Sequence, residues 1–450
     1  MQRHSFIHIA FAILLGLATT PGCGDDTGGA PALDTGISET GSGTPALDGS
    51  ADAAGGGISE AGQGGAALDG SVDSGGAGIP TGIVVVNSDY HSSSVSVLDH
   101  DGNLLLDGCL NSGTGNPGLA MTLSGDVVLP TQIPQGGPVA VIDRLNAAIT
   151  WLDPATCAPL RQLAVGTGFA SNPHDVVTLS ATKAYVTRAD ENGKPSAAPG
   201  DFDEGNDVLI IDPSQAKILG RIDLKPYAPA GTTLLPRADR ALMAGGMVYV
   251  SLNITDYASY GAGRLVMIDP ASDTVVGTID LPTVKNCGAM AYVASANRLF
   301  VACNGAYGDP AGQAAGSAIV AIDLAGSPNT QFAAATTVGL PFSNIALAVL
   351  DGNTALGVSV GDFSGTPPDS LWSLSFGGSA PLKIFDSSAG FAIGAVLVDA
   401  ENHRVLAADG TTTSPAYLRI FDYTSGAFTP AGTIKTNPAQ KLPPRALAFY

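Results

Sequence analysis

Beyond residue 79 the chain is punctuated by short apolar runs that end in an acidic residue. They read Val-Ser-Val-Leu-Asp to Asp99, Ile-Thr-Trp-Leu-Asp to Asp153, Val-Leu-Ile-Ile-Asp to Asp212, Leu-Val-Met-Ile-Asp to Asp269, Ile-Val-Ala-Ile-Asp to Asp323 and Leu-Arg-Ile-Phe-Asp to Asp422. A seventh, Leu-Trp-Ser-Leu-Ser, ends at Ser375 instead. Successive runs lie 54, 59, 57, 54, 52 and 47 residues apart. Upstream of each is another apolar run, from Ile83 to Val86 in the first unit to Val405 to Ala407 in the last. This period matches one four-stranded antiparallel sheet with its turns. The pattern therefore predicts an all-β fold from 79 to 450, a seven-bladed β-propeller of four-stranded blades.

The first unit opens on a run that matches the second strand of the others, while Arg445 to Tyr450 resembles their first strands. Pairing of Arg445 to Tyr450 beside Ile83 to Val86 would close the ring and remove the exposed sheet edges. Two segments compete for the innermost strand of the second unit, Leu119 to Leu123 and Val127 to Leu129. Asp-Pro turns at Asp153, Asp212 and Asp269 suit type I geometry, so these aspartates read as structural acceptors for turn amides. The loops between second and third strands vary most, at Ala189 to Asn206, Asn253 to Gly263 and Asn304 to Gly316. They emerge on one face, which is where recognition is expected.

The strands resemble the YVTN-type repeats of bacterial seven-bladed propellers. The likeness is carried by Ala184-Tyr185-Val186, by Val248-Tyr249-Val250 and by the Asp-ended strands with their Pro-Ala or Pro-Ser turns. It covers nearly all of the chain after residue 79 and departs at Ser375. The resemblance implies the fold and says little of activity, because one scaffold hosts many functions. Related propellers include lactonase-like hydrolases and quinone-dependent oxidoreductases, so an enzyme of either kind is the alternative to a ligand-binding or protein-interaction scaffold. A purely structural surface lipoprotein is a third reading.

The first 78 residues are of another kind. Gln2, Arg3 and His4, the apolar run Phe6 to Ala18 and small residues before Cys23 have the order of a signal peptide, residues 1–22. The run is about 13 residues where roughly 20 are needed to cross, so a spanning anchor is the weaker reading beside lipidation and plain secretion. Cys23 is the candidate lipidation site, and residues 23–78, with no aromatic residue, Lys or Arg, read as a disordered tether. Together they predict an outer-membrane lipoprotein, facing the periplasm or the cell surface, held to the membrane by its N-terminal lipid alone. A net charge of −20 excludes nucleic acid, whose binding requires phosphate neutralisation. The expected partner is an envelope protein, a glycan or a small molecule, and the domain is expected to be a monomer.

Four cysteines remain after Cys23, an even number in an exported chain. Of the three pairings four thiols allow, antiparallel register favours Cys287 with Cys303, which leaves Cys109 with Cys157. Their spacing lacks the close Cys-x-x-Cys pair of a zinc site. No nucleophile elbow, haem-attachment motif or nucleotide loop is present. His174, placed just before the first strand of the third unit, and Arg188, after its second, are candidate channel-mouth residues. The loop Ala189 to Asp207 is rich in hard oxygen donors, with Asp201, Asp203, Glu204, Asn206 and Asp207. Asp201, Asp203 and Asp207 are candidate calcium ligands, although the spacing is not that of an EF-hand. No cofactor is otherwise expected.

Overall fold

A computed structural model describes residues 82–450, apart from 114–118, 197, 199, 308–309, 327, 362–365 and 414–415. The signal peptide, Cys23 and the tether lie outside the described residues. From Gly82 onward the chain forms seven four-stranded antiparallel sheets. Their innermost strands are Val127–Val128, Pro173–Ser180, Leu235–Ala244, Cys287–Val293, Phe342–Asp351, Ile393–Asp399 and, for the first blade, the C-terminal Pro444–Phe449.

Each blade packs on two neighbours, which explains why its middle strands are apolar at successive rather than alternate positions. Val84, Val86, Val95 and Val97 of blade 1 pack against Val139, Val141 and Leu152 of blade 2. The opposite face of blade 1, with Ile83, Val85 and Leu98, packs against Leu406 and Leu418 of blade 7. The closing contact is the predicted one: Ile83, Val84, Val85 and Val86 pair with Phe449, Ala448, Leu447 and Ala446. Ile83 and Phe449, 366 residues apart, thus share one sheet, and blade 1, like the other six, has its inner strand.

The turn aspartates are structural acceptors. Asp269 accepts the Ala271 N–H and the Ser272 hydroxyl at 2.9 Å each, and Asp212 accepts the Ser214 N–H and hydroxyl at 2.8 and 2.6 Å. Both disulfides form. Cys287 and Cys303 are register partners within blade 5, and Cys109 joins the outer strand of blade 1 to Cys157 in blade 2.

Blade 2 departs from the repeat. Its inner strand is the two-residue Val127–Val128, while Leu119 to Leu123 forms no strand. The chain beyond Val128 turns inward instead. Thr131 donates its N–H and hydroxyl to Asp175 of blade 3 at 2.9 and 2.5 Å. Gln132 exchanges bonds with the Met243 backbone of blade 4, accepting its N–H at 2.8 Å and donating to its carbonyl at 3.3 Å. Blades 2 and 4 are not neighbours, so a side chain joining them crosses the central channel. Met243 lies three residues along its strand from Arg240, so the crossing sits roughly 10 Å deeper than that residue.

Candidate functional site

Above this crossing, the beginnings of the inner strands and the second-to-third-strand loops bring polar side chains to the channel mouth. Asp126, just before the inner strand of blade 2, receives both Nε and Nη2 of Arg144, at 2.9 and 2.6 Å. His174 lies within the inner strand of blade 3, not before it, and its Nδ1 is 2.7 Å from Asp239 of blade 4. A carboxylate only accepts, so Nδ1 carries the proton. Asn253 donates to the other Asp239 oxygen at 2.5 Å. Nε2 of His174 and Oδ1 of Asn253 are enclosed and form no hydrogen bond with protein.

Arg240 spans three blades. Its Nη1 donates to the carbonyls of Leu129 in blade 2, at 3.1 Å, and His174 in blade 3, at 3.0 Å. On the far side, Arg445 donates from Nη1 to the Phe391 carbonyl at 2.9 Å and lies 5.4 Å from the Tyr90 ring centre. Asn344 of blade 6 donates to Asn286 at 3.2 Å. These side chains fit because small residues stand between them. A Cβ on Gly288 would collide with the Asn344 carbonyl and lie 3.1 Å from Asp239, and one on Gly394 would lie 2.7 Å from the Arg445 carbonyl. Tyr90, Tyr307, Ile345 and Phe391 stay exposed around the opening.

The electrostatics follow from this crowding. Burial pushes the Asp239 carboxyl up, but the charges and hydrogen bond of His174, with Arg240 and Arg144, outweigh it and hold it below the ordinary aspartate value. Burial works against the Arg144 guanidinium too, and Asp126, Tyr90 and Asp239 more than compensate. Arg144 is therefore within electrostatic reach of groups from blades 1 and 4, as a channel position requires.

Of the two candidate channel-mouth residues, His174 is placed beside Asp239 at the start of the inner strands. Arg188 is not: it is fully buried between the second and third strands of blade 3. Its Nε and Nη2 make a bidentate bond to Asp207 at 2.8 and 2.7 Å, and its other donors reach the Val165 and Phe202 carbonyls and the Thr167 hydroxyl. Asp207 is thereby engaged inside the blade rather than offered to a cation. Asp203 accepts the Ser196 N–H at 2.7 Å and faces Asn192 at 3.3 Å, while Asp201 is exposed. Among the described residues no three of His, Cys, Asp and Glu are placed to hold a metal.

The fold and mouth define a seven-bladed propeller with a polar central site. The fold is similar to that of two bacterial crystal structures provisionally described as 6-phosphogluconolactonases. That from Bacteroides fragilis is 12% identical over 82% of this chain and 98% of its own, with a TM-score of 0.53. That from Bacteroides uniformis is 11% identical over 82% of this chain and 100% of its own, with a TM-score of 0.52. At such identity the likeness is one of fold. No protein-family model and no curated protein matches the chain.

Proposed function

We propose that the channel mouth binds a small polar molecule and that the protein is a ligand-binding propeller of the cell envelope. One observation carries this reading: residues far apart in the chain, from Asp126 to Arg445, converge where the channel opens, within an aromatic rim. Concave sites with a few oriented polar groups are where small ligands bind. The test is a thermal-shift screen of sugars, sugar acids and amino acids, repeated with Ile345→Trp. Ile345 is 52% exposed in an inner strand, so the larger ring should obstruct the mouth without disturbing the core. Ligand-induced shifts should vanish in the variant while its unliganded melting stays unchanged; a shift that persists would move the ligand elsewhere.

The second reading is a lactonase-like hydrolase. It is favoured by the His174–Asp239 pair, in which Nδ1 faces the carboxylate and Nε2 is the ring nitrogen left without a protein partner, and by the fold shared with the two proteins above. Nε2 is enclosed, so the reaction also requires the neighbouring side chains to part. In the hydrolase, His174→Gln lowers lactone turnover about a hundredfold or more, the usual contribution of a positioned base, with binding retained. Absence of turnover by wild-type protein on gluconolactone and its phosphate ester would reject this reading.

Attachment through Cys23 and calcium binding at the acidic loop belong to the same proposal. Cys23→Ser should release the protein from membranes, and cleavage elsewhere without an acyl chain would end the lipoprotein reading. Calcium should raise the melting temperature if the loop holds it in the folded state alone. Equal melting in calcium and in chelator makes the loop a solvated one.

A further inference from the structure

We infer that the ligand of the channel mouth is a carboxylated sugar whose carboxylate lies between Arg240 and Arg445; this rests on the reading of the mouth as a binding site. Eight of the eleven described arginines have a carboxylate oxygen within 4.0 Å, and the three that do not are Arg161, Arg240 and Arg445. Arg161 is in an outer strand, whereas the other two are in inner strands. Arg240 acts on the buried Asp175 and Asp239 through its field without touching either, and Arg445 donates only to carbonyls among the described residues, in a chain of net charge −20.

The two arginines lie one residue apart in level: register sets Ala446 at the position of Arg240, so Arg445, at the position of Asp239, stands one residue nearer the opening. Blades 1 and 4 are nearly opposite in a seven-membered ring, so an anion near the axis lies in the field of both. The carboxylates nearby are already satisfied. Asp175 accepts Thr131 twice, Val176 and Ala241; Asp239 accepts His174 and Asn253; Asp126 accepts Arg144. Among the described residues Arg240 bonds two carbonyls, both through Nη1, and not through Nε or Nη2, and Arg445 makes no bond through Nη2. What the mouth offers a ligand is therefore chiefly donors. Tyr90 and Phe391, 41% and 38% exposed beside Arg445, supply flat apolar faces against which the C–H face of a sugar ring packs.

Calorimetric titration of D-glucuronate and D-galacturonate against the corresponding uronamides isolates the carboxylate, since acid and amide otherwise share their shape. The acids should bind about tenfold or more tightly than the amides, in line with the loss of charge-assisted hydrogen bonds. Added salt should narrow the gap. Arg240→Met should abolish the preference and, through its lost bonds to the Leu129 and His174 carbonyls, lower the melting temperature, whereas Arg240→Lys should retain part of the preference. Arg445 is in the closing strand, so Arg445→Lys, which keeps the charge, serves there and should retain part of the preference. Equal binding of acid and amide would overturn the inference while leaving the binding site in place. Binding of neither, with the wild-type protein also silent towards every compound in the screen, would remove both.

Discussion

At the scale of single residues, the described chain uses charge in two ways. Arg188 and Asp207 form a buried pair in which every guanidinium nitrogen has a partner. Burial pushes the Asp207 carboxyl up, and Arg188 opposes it. Removing one partner leaves an uncompensated buried charge, so Arg188→Met should cost about 3–5 kcal/mol by urea denaturation. Arg188→Met with Asp207→Leu should recover much of that loss; equal instability of single and double variants would show that packing, not charge, is at stake. The turn aspartates behave otherwise. The Ser214 hydroxyl holds Asp212 below its ordinary value of 3.8, and the Ala271 N–H does so for Asp269. A carboxyl depressed on folding contributes stability that is full above the unfolded pKa and lost as pH falls through the lower folded one. Asp212→Asn with Asp269→Asn should therefore weaken the domain at neutral pH and flatten its decline below pH about 4 in acid melts. His174 was legible because histidines are few. Asp239, Arg240 and Arg144 were not, since nothing local distinguishes a channel arginine from one on a solvated turn.

Elements carry the next level of explanation. The closing strand Pro444–Phe449 gains its importance from position: it supplies the inner strand of blade 1 and buries Ala448 and Tyr450 with the valines of blades 1 and 2. Deleting Arg445 to Tyr450 should lower the urea midpoint far more than shortening Asn304 to Gly316, which should mainly affect ligand capture through the loss of Tyr307. A truncated protein that melts like the full domain would contradict the closed ring. The closing strand was readable because its apolar spacing matches other first strands. The irregular inner strand of blade 2 was not, for the bonds that draw residues 129–132 across the channel are made to blades 3 and 4. Two candidate segments of similar hydropathy left the choice open, and Val127–Val128 with the inward turn is the outcome.

From Gly82 to Tyr450 the described residues form a ring of sheets in which neither closure nor channel mouth exists until all seven blades are in place. The Cys109–Cys157 bridge spans 48 residues and ties blade 1 to blade 2. Cys109→Ser with Cys157→Ser should cost about 2–4 kcal/mol, chiefly by freeing the unfolded chain, and reduction should then have no further effect at that link. An unchanged denaturation midpoint would assign the bridge no role in stability. The amino-acid sequence by itself determined the number of blades and the segment that closes the ring, and it favoured one of the three disulfide pairings. Each is expressed in a local signal repeated along the chain: apolar runs, acidic turn starts, matched registers. Only the tertiary structure decided that Arg188 and Asp207 are sealed within a blade, that blade 2 crosses the channel, and that Asp126, Arg144, His174, Asp239, Arg240 and Arg445 share one opening. The physical reason is distance along the chain: a strand's period is set by its neighbours in sequence, whereas a channel side chain's partners come from other blades and are chosen when the ring closes.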